Sequence, residues 1–277
     1  MFIHRVGQLT KIFPTSSTKN IVIQINAKYR EGQIALISNV LPDLHCNGDS
    51  QCFPLYLFDE EGNNKQYAIT DEGLAYFQSY YPSITVTKED IFYYCYGLLH
   101  SEDYRNRYAD NLSKELPRIP RVKKAEDFIS FTQAGRALAE LHLNYENAKP
   151  YSATIENSAK EYAHYRVEKM KHPKEKVDGK SVNDKSTIIY NGRIKIKDIP
   201  LNAYRYVVNG RPAIDWVMER QCVKTDKDSG IENDANLWAT ETMNNAKYPF
   251  ELVLKVITVS LETMKIVDAL PVLDIES

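Results

Sequence analysis

Apolar and polar positions alternate with the period of β-strands over much of the first sixty residues. Asn20–Ala27, Gln33–Ser38 and Gln51–Phe58 carry this pattern, and Pro54 in the third segment favours an edge strand or a bulge. A run rich in turn-forming residues separates the second segment from the third. The pattern therefore predicts an N-terminal mixed sheet.

After residue 86 the apolar period becomes that of α-helices. Thr87 and Asp90 have the spacing of a capping box, which predicts a helix from there to about Leu99. A second helix is expected over residues 101–116 and a third over 125–145. We expect these helices to cover the sheet with the apolar face of the third, which is Phe128, Phe131, Ala134, Leu138 and Leu141.

The middle of the chain combines a strand signal with a long polar stretch. Residues 161–170 alternate like a strand, whereas HPKEKVDGKSVNDKS at residues 172–186 is polar and is predicted to be a surface loop. Asn191-Gly192 then separates two alternating runs, STIIY and RIKIK, which predicts a β-hairpin closed by a type I′ turn.

The C-terminal part is predicted to be helical. Pro212 is expected to open one helix, and Tyr248–Leu270 to form a long closing helix. The whole pattern predicts a mixed α/β (α+β) fold with an N-terminal sheet and covering helices, a β-hairpin-containing middle and a helical C-terminus. The expected subdivisions are residues 1–150, 151–210 and 211–277.

Composition and charge refine this picture. The 277 residues are 43% hydrophobic and 26% charged, which is enough for a sizeable core. The net charge is only -2, but residues 105–124 hold 7 basic against 2 acidic residues, and 160–197 hold 11 against 5. Such stretches favour a polyanion held on one side, although charge runs are also typical of plain solvated surfaces.

The sequence offers no recognisable catalytic, metal or cofactor motif. It has neither the Asn-Pro-Pro-aromatic loop of adenine methylases nor a P-loop, and its 4 cysteines lack zinc-ligand spacing. We therefore expect no catalytic residue, no metal and no cofactor. The absence of a long apolar run predicts a cytoplasmic chain without a membrane segment. A hydrolase assembled around His45 or His100 is the enzymatic alternative.

One block carries a family resemblance, namely STIIYNGRIKIKDIPLNAYRYVVNGRPAIDWVMERQCVKTDKDSGIENDAN at residues 186–236. Together with KIFPTSSTKNIVIQI, EDIFYYCYGLLHSEDYRNRYADNLSKELPRIP, AGRALAELHLNYE and ITVSLETMKIVDALP, it resembles the C-terminal specificity region of type ISP restriction–modification enzymes. The likeness runs from about Thr10 to Leu270, and Met1 falls close to where that region would begin.

The resemblance implies a single DNA target recognition domain over residues 1–277. Its expected function is sequence-specific recognition of double-stranded DNA, without catalysis of its own. Its expected partners are that DNA and the methyltransferase and helicase domains of the parent enzyme or of a partner chain.

Recognition of a duplex needs cations for phosphates and a few side chains for base edges. The first candidate cluster is Arg105, Arg107, Arg118, Arg121, Lys123 and Lys124. The second leads into the polar loop and is Lys169, Lys171, Lys174 and Lys176. The third lies on the predicted hairpin and on the turn after it, and is Asn191, Arg193, Lys195, Lys197, Asn209 and Arg211.

A structural docking module for a methylase or helicase partner is the alternative of another class. Its surface would be the acidic helical end, with Trp216, Trp238 and Val253–Val267. Exposed apolar area there would favour it over DNA recognition.

Overall fold

The computed structural model describes residues 9–26, 32, 34–42, 50–59, 61–157 and 161–275. The helices in this part of the chain are α1 Leu9–Ile12, α2 Asp71–Gln78, α3 Lys88–His100, α4 Glu102–Arg107, α5 Ala109–Leu112, α6 Ala125–Leu143, α7 Ala213–Arg220, α8 Ala235–Glu241 and α9 Tyr248–Asp268. The strands are β1 Val22–Ile25, β2 Ala35–Ser38, β3 Gln51–Pro54, β4 Tyr56–Leu57, β5 Gln66–Tyr67, β6 Thr154–Glu156, β7 Lys174–Val177, β8 Lys180–Asn183, β9 Ile188–Ile189, β10 Lys195–Lys197, β11 Val207–Val208, β12 Arg211–Pro212, β13 Val223–Thr225 and β14 Glu232–Asp234. The mixed α/β prediction is confirmed.

Contacts divide the chain into two compact units. Unit 1 comprises Met1–Leu143, Val208–Gly210 and Lys265–Ser277, and unit 2 comprises Asn144–Val207 and Arg211–Met264. The expected boundaries at 150 and 210, and the single recognition domain over the whole chain, stay predictions. Among the described residues, no helix has both the length and the apolar content that a membrane span needs.

The sheet of unit 1 has the strand order β2-β1-β3. The prediction of strands in all three alternating segments is confirmed, and β3 with Pro54 lies at an edge. The sheet is antiparallel in both pairings, so its prediction as a mixed sheet is wrong. The connection of nine residues between β1 and β2 explains this, because a parallel crossover needs about a dozen residues or more.

Helices α3 and α6 pack closely and share one core with this sheet. Their backbones approach at two glycines, since a Cβ at Gly97 would collide with the Phe131 carbonyl and one at Gly135 with the Tyr93 carbonyl. Phe128, Phe131 and Leu138 of the predicted apolar face are buried in that core. The expected packing of these helices over the sheet is confirmed.

Side-chain hydrogen bonds cap the N-termini of α3 and α4, at Thr87 and Ser101. The Thr87 hydroxyl accepts from the Asp90 N–H at 3.1 Å, and the Asp90 carboxylate accepts from the Thr87 N–H at 3.0 Å. The single helix predicted for 101–116 is wrong, because the backbone leaves helical geometry at Tyr108 and α5 ends at Leu112. At the end of α5, the Ser113 hydroxyl donates to the Asp110 carbonyl at 2.8 Å, a local bond that competes with continuation of the helix.

The core of unit 2 forms around the sheet β6-β10-β9. Buried side chains of this sheet and its flanks meet α7 and the first turns of α9 in one apolar cluster, which includes Ile188, Tyr190, Ile194, Ile196, Ile214, Phe250 and Val253. The predicted helices after Pro212 and from Tyr248 are confirmed. Residues 161–170 do not form the predicted strand but contain a 3₁₀ helix, Tyr162–Tyr165. The Tyr165 carbonyl accepts a hydrogen bond from the Tyr190 hydroxyl, and the His164 carbonyl accepts one from the Asn191 amide.

Candidate nucleic-acid interface

A two-stranded ribbon, β7–β8, stands out in unit 2. The register pairs Lys174 with Asn183 and Lys176 with Ser181. Asp178 and Gly179 connect the strands at φ values of 50° and 76°, as a type I′ turn requires. All side chains described between residues 174 and 183 are exposed. This segment belongs to the stretch expected to be a loop, so that expectation is wrong, and Asp178-Gly179 was the signal that could have located the hairpin.

Unpaired cations concentrate on this ribbon and the segment that leads to it. Lys169, Lys171, Lys174, Lys176 and Lys180 are all exposed. None of the ion pairs found within the described parts of the chain involves these lysines. Residues 169–180 contain only two acidic residues against these five lysines, so the ribbon and the segment that leads to it together carry a net positive charge that is available to a polyanion.

The end of the ribbon opposite the Asp178-Gly179 turn, which we call its root, is held by hydrogen bonds to neighbouring segments. Lys171 and Ile189 exchange two backbone hydrogen bonds of 3.1 and 2.8 Å, and the Asp184 N–H donates to the Pro173 carbonyl at 2.9 Å. The His172 ring bonds through Nδ1 to the Thr187 carbonyl at 2.8 Å and through Nε2 to the Asp215 carboxylate at 3.4 Å. These contacts tie both ends of the ribbon to the sheet and to α7.

The His172–Asp215 pair is largely removed from water, with 7% and 20% of the two side chains exposed. Burial by itself lowers the pKa of His172, but the bond to Asp215 and the Thr187 carbonyl outweigh it, so the pKa is raised above the ordinary value of 6.5. The positive charge of Lys185 opposes this rise. The root therefore favours a protonated His172 facing a carboxylate.

The predicted hairpin after Ile189 exists, but its turn differs from the prediction. Neither Asn191 nor Gly192 has a positive φ, and the pairing of Lys195 with Ile189 leaves a longer connection than two residues. The Asn191 amide is fully engaged: it donates to the His164 and Arg166 carbonyls at 2.6 and 3.0 Å and accepts from the Arg193 and Ile194 N–H groups at 2.9 and 2.8 Å. The type I′ prediction is wrong because this side chain shapes the turn, and Asn191 is not available to read a base.

The basic face of β10 is partly neutralised. Lys195 and Lys197 both contact the Glu156 carboxylate, at 3.0 and 3.3 Å. Their side chains lower the pKa of Glu156, as expected for a carboxylate between two ammonium groups. Arg193 is exposed and lies 2.8 Å from Nε2 of His164. Lys195 and Lys197 therefore lie on one face of β10, but both already have an acidic partner.

The turn at Asn209 and the adjacent Arg211 are also engaged. Asn209 and Gly210 have φ values of 52° and 77° and connect β11 to β12. The Asn209 side-chain oxygen accepts from the Asn26 amide at 3.1 Å, both residues belonging to unit 1. Arg211 forms an ion pair with Glu219, and its guanidinium lies 5.3 Å from the Trp216 ring.

In unit 1, the α4 arginines have different environments. Arg105 is only 8% exposed, and its guanidinium donates to the His100 carbonyl at 2.8 Å. It thus supports the turn between α3 and α4 and does not present its charge to a duplex. Arg107 is exposed and lies 5.9 Å from the Tyr108 ring centroid.

The loop of residues 118–124 presents most of its cations at the surface. The Arg118 side chain is 85% exposed and pairs with Glu115, whereas half-exposed Lys123 pairs with Asp274 at 2.8 Å. Arg121 lies against the Tyr76 and Tyr80 rings at 3.9 and 4.2 Å. Lys124 is exposed, and no ion pair within the described residues includes it.

The enzymatic and docking alternatives gain little from the structure. His100 is completely buried beside Tyr96 and His142, where burial keeps its pKa well below the usual range, and His45 lies outside the described residues. In the part of the chain that the structure describes, no group of three His, Cys, Asp or Glu side chains is placed to hold a metal. Val253 and Val267 of the expected docking surface are buried, while Trp238 is 43% exposed.

Comparison with known proteins identifies the family. A family profile described as the type ISP C-terminal specificity domain matches residues 1–252. No curated protein matches the chain.

Three solved structures are similar over nearly the whole chain. A nuclease-deletion mutant of the type ISP restriction–modification enzyme LlaGI, in complex with a DNA substrate mimic, has 39% identity and a TM-score of 0.77 and covers 98% of this chain. The ATP-dependent type ISP enzyme LlaBIII bound to DNA has 40% identity and a TM-score of 0.82 over 98% of this chain. A DrdV–DNA complex has 29% identity and a TM-score of 0.77 over 95%.

The matched region is only a part of each of these proteins. The chain spans 23% of the LlaGI chain, 17% of the LlaBIII chain and 26% of the DrdV chain. Since the family profile covers most of the sequence and two structures share about two fifths of its residues, the chain belongs to the type ISP C-terminal specificity domain family.

Proposed function

We propose that this chain recognises a specific sequence in double-stranded DNA and supplies target specificity to a type ISP restriction–modification enzyme. The observation that carries the proposal is the exposed β7–β8 ribbon with its unpaired lysines. Phosphate neutralisation by such cations provides most of the affinity of a protein for duplex DNA.

Family membership supports the choice of DNA over other polyanions. The type ISP enzymes similar to this chain were captured with DNA or a DNA substrate mimic. Each of those chains is about four to six times longer than the matched region, so in our proposal methylation, ATP hydrolysis and cleavage reside in other parts of such an enzyme. The chain itself contributes recognition without catalysis, and it acts in the cytoplasm with methyltransferase and helicase domains.

The loop of residues 118–124 in unit 1 is a second candidate for phosphate contact. Arg118 and Lys124 are exposed there, and the ion pairs of Arg118 and Lys123 involve partly exposed carboxylates. Exposed ion pairs are weak, typically below about 1 kcal/mol, so a phosphate is able to replace them. Arg105, Asn191 and Asn209 are left out of the proposed interface because other groups of the protein engage their side chains.

The test is selection of bound duplexes from a random pool with the 277-residue chain, with the affinity then measured at several salt concentrations. We expect an enriched motif and a linear fall of log K with log salt, with a slope of roughly -2 to -5 if two to five lysines contact phosphates. Absence of binding at low salt would contradict the proposal. Binding to a methylase or helicase partner without DNA would favour the docking alternative, with exposed Trp238 as the first residue to vary.

A further inference from the structure

The β7–β8 ribbon has two chemically different faces. Because paired residues of an antiparallel ribbon share a face, Lys174, Asn183, Lys176 and Ser181 lie together on one side, which we call the lysine–asparagine face. Glu175, Val182 and Lys180 lie on the other side. The first face holds hydrogen-bonding side chains and no acid, whereas the second includes a carboxylate and an apolar side chain.

We propose that the β7–β8 ribbon enters the major groove and that its lysine–asparagine face reads base edges. This inference rests on the function proposed above and names the element and the side chains that give it specificity. Lysine donates to guanine O6 and N7, asparagine pairs with adenine N6 and N7, and serine bonds to either. The face therefore fits a short purine-containing stretch in the major groove.

The dimensions and exposure of the ribbon agree with this role. Each strand has four residues, about 13 Å at 3.3 Å per residue. A two-stranded ribbon fits the major groove, which is about 12 Å wide, but not the narrower minor groove. The side chains described on both faces are exposed, so they are accessible to a DNA duplex.

The root of the ribbon limits the cost of ordering. His172, Lys171 and Asp184 hold the two strand ends through the hydrogen bonds to Thr187, Ile189 and Pro173. The type I′ turn at Asp178-Gly179 closes the other end. A ribbon fixed at both ends holds its backbone in one arrangement, and such preorganisation lowers the entropic cost of binding.

Two lysines on opposite faces provide a matched pair of variants. Lys176→Ala and Lys180→Ala remove the same charge from exposed positions of one ribbon, but Lys176 lies on the lysine–asparagine face and Lys180 does not. We expect Lys176→Ala to relax one position of the selected motif, reducing discrimination there by about 5- to 100-fold. Lys180→Ala is expected to keep the motif and to make the salt slope less steep by about one unit, as loss of one phosphate contact does.

Asn183→Ala tests the same face at a second position. It is expected to relax a motif position other than the one affected by Lys176→Ala, while Val182→Ala on the opposite face leaves the motif intact. Base analogues identify the groove: replacement of guanine by 7-deazaguanine at the Lys176-dependent position should weaken binding about tenfold, since N7 faces the major groove. Inosine there, which lacks only the minor-groove amino group, should bind normally.

The outcomes separate the inference from the proposed function. If wild-type protein enriches a motif and both lysine variants retain it, the ribbon contacts only phosphates, and the inference fails while the proposed function stands. If inosine weakens binding and 7-deazaguanine does not, the ribbon reads the minor groove and the inference also fails. If wild-type protein enriches no motif, the proposed function itself fails. Circular dichroism and thermal unfolding of each variant verify that these exposed substitutions leave the fold unchanged.

Discussion

Replacement of Gly135 by alanine tests the close approach of α3 and α6 in unit 1. A Cβ at this position would overlap the Tyr93 carbonyl oxygen and lie 2.7 Å from its carbon and 2.9 Å from the Gly97 nitrogen. All three are backbone atoms within a helix, so none is able to move aside by a side-chain rotation. The helices themselves must separate, and the shared core with Phe131 must open.

The magnitude follows from two opposing contributions. Overpacking of a core costs about 1 to 3 kcal/mol when side chains adjust, and we expect about 3 to 5 kcal/mol when two helix backbones must shift. Alanine returns about 1 kcal/mol through its higher helix propensity. The free energy of unfolding should therefore fall by about 2 to 4 kcal/mol in Gly135→Ala.

Gly73→Ala is the matched control, because it is also a helical glycine in unit 1 but has room. A Cβ there meets Ile69 and Thr70 at 3.5 Å, an ordinary contact distance. This variant should be stabilised by up to about 1 kcal/mol. Urea unfolding followed by circular dichroism measures both. If Gly135→Ala unfolds at the same urea concentration as the wild type, or if both variants shift in one direction, the inferred helix contact is wrong.

Three further predictions concern unit 2. Asn191→Ala removes four hydrogen bonds and should lower the free energy of unfolding by about 2 to 4 kcal/mol in the same urea assay. Asn191→Asp keeps the accepting oxygen but turns a carboxylate oxygen toward the His164 and Arg166 carbonyls, so it should destabilise the fold at least as much, and an unchanged stability of either variant would refute the inferred role of Asn191. Asp215 raises the pKa of His172, so the stabilisation by this pair is complete below pH 6.5 and is lost as pH rises through the higher pKa of the folded state. The difference in unfolding free energy between wild type and Asp215→Asn should therefore shrink as pH rises above 6.5. A difference that grows with pH would refute the pairing. Glu156→Gln releases Lys195 and Lys197 and should raise DNA affinity a few fold at low salt but not at high salt; an unchanged affinity in a titration at both salt levels would remove β10 from the candidate interface.

Elements with strong local chemistry could be predicted from the sequence. The Thr87–Asp90 box specified the start of α3 because both of its hydrogen bonds lie within four residues. The long apolar periodicity of α6 and α9 likewise identified them, and it placed Phe128, Phe131 and Leu138 in the core. Such signals need no knowledge of distant contacts, which explains their success.

The geometry of turns was harder to predict from the sequence than the helices were, because a contact with a distant residue can change it. Asp178-Gly179 and Asn209-Gly210 adopt positive φ at both residues, as the dipeptide favours. Asn191-Gly192 does not, because the Asn191 amide is held by the His164 and Arg166 carbonyls, 27 and 25 residues earlier in the chain. An Asn-Gly or Asp-Gly dipeptide therefore gave different turns in different surroundings. The β7–β8 hairpin, which Asp178-Gly179 closes, was predicted to be a loop.

Contacts between distant residues also decide which lysines of the candidate interface have an acidic partner. Lys174 and Lys176 have the same spacing along β7 as Lys195 and Lys197 have along β10, so the spacing of the lysines alone does not distinguish the two strands. The difference lies across the sheet, where the register of β6 places Glu156 opposite Lys195, while β8 places Asn183 and Ser181 opposite the β7 lysines. A phosphate must displace a carboxylate on β10, whereas the β7 ammonium groups form no ion pair with any residue that the structure describes. Counting cations along the chain therefore finds both strands, and only the pairing across strands explains why β7–β8 is the better candidate for DNA contact.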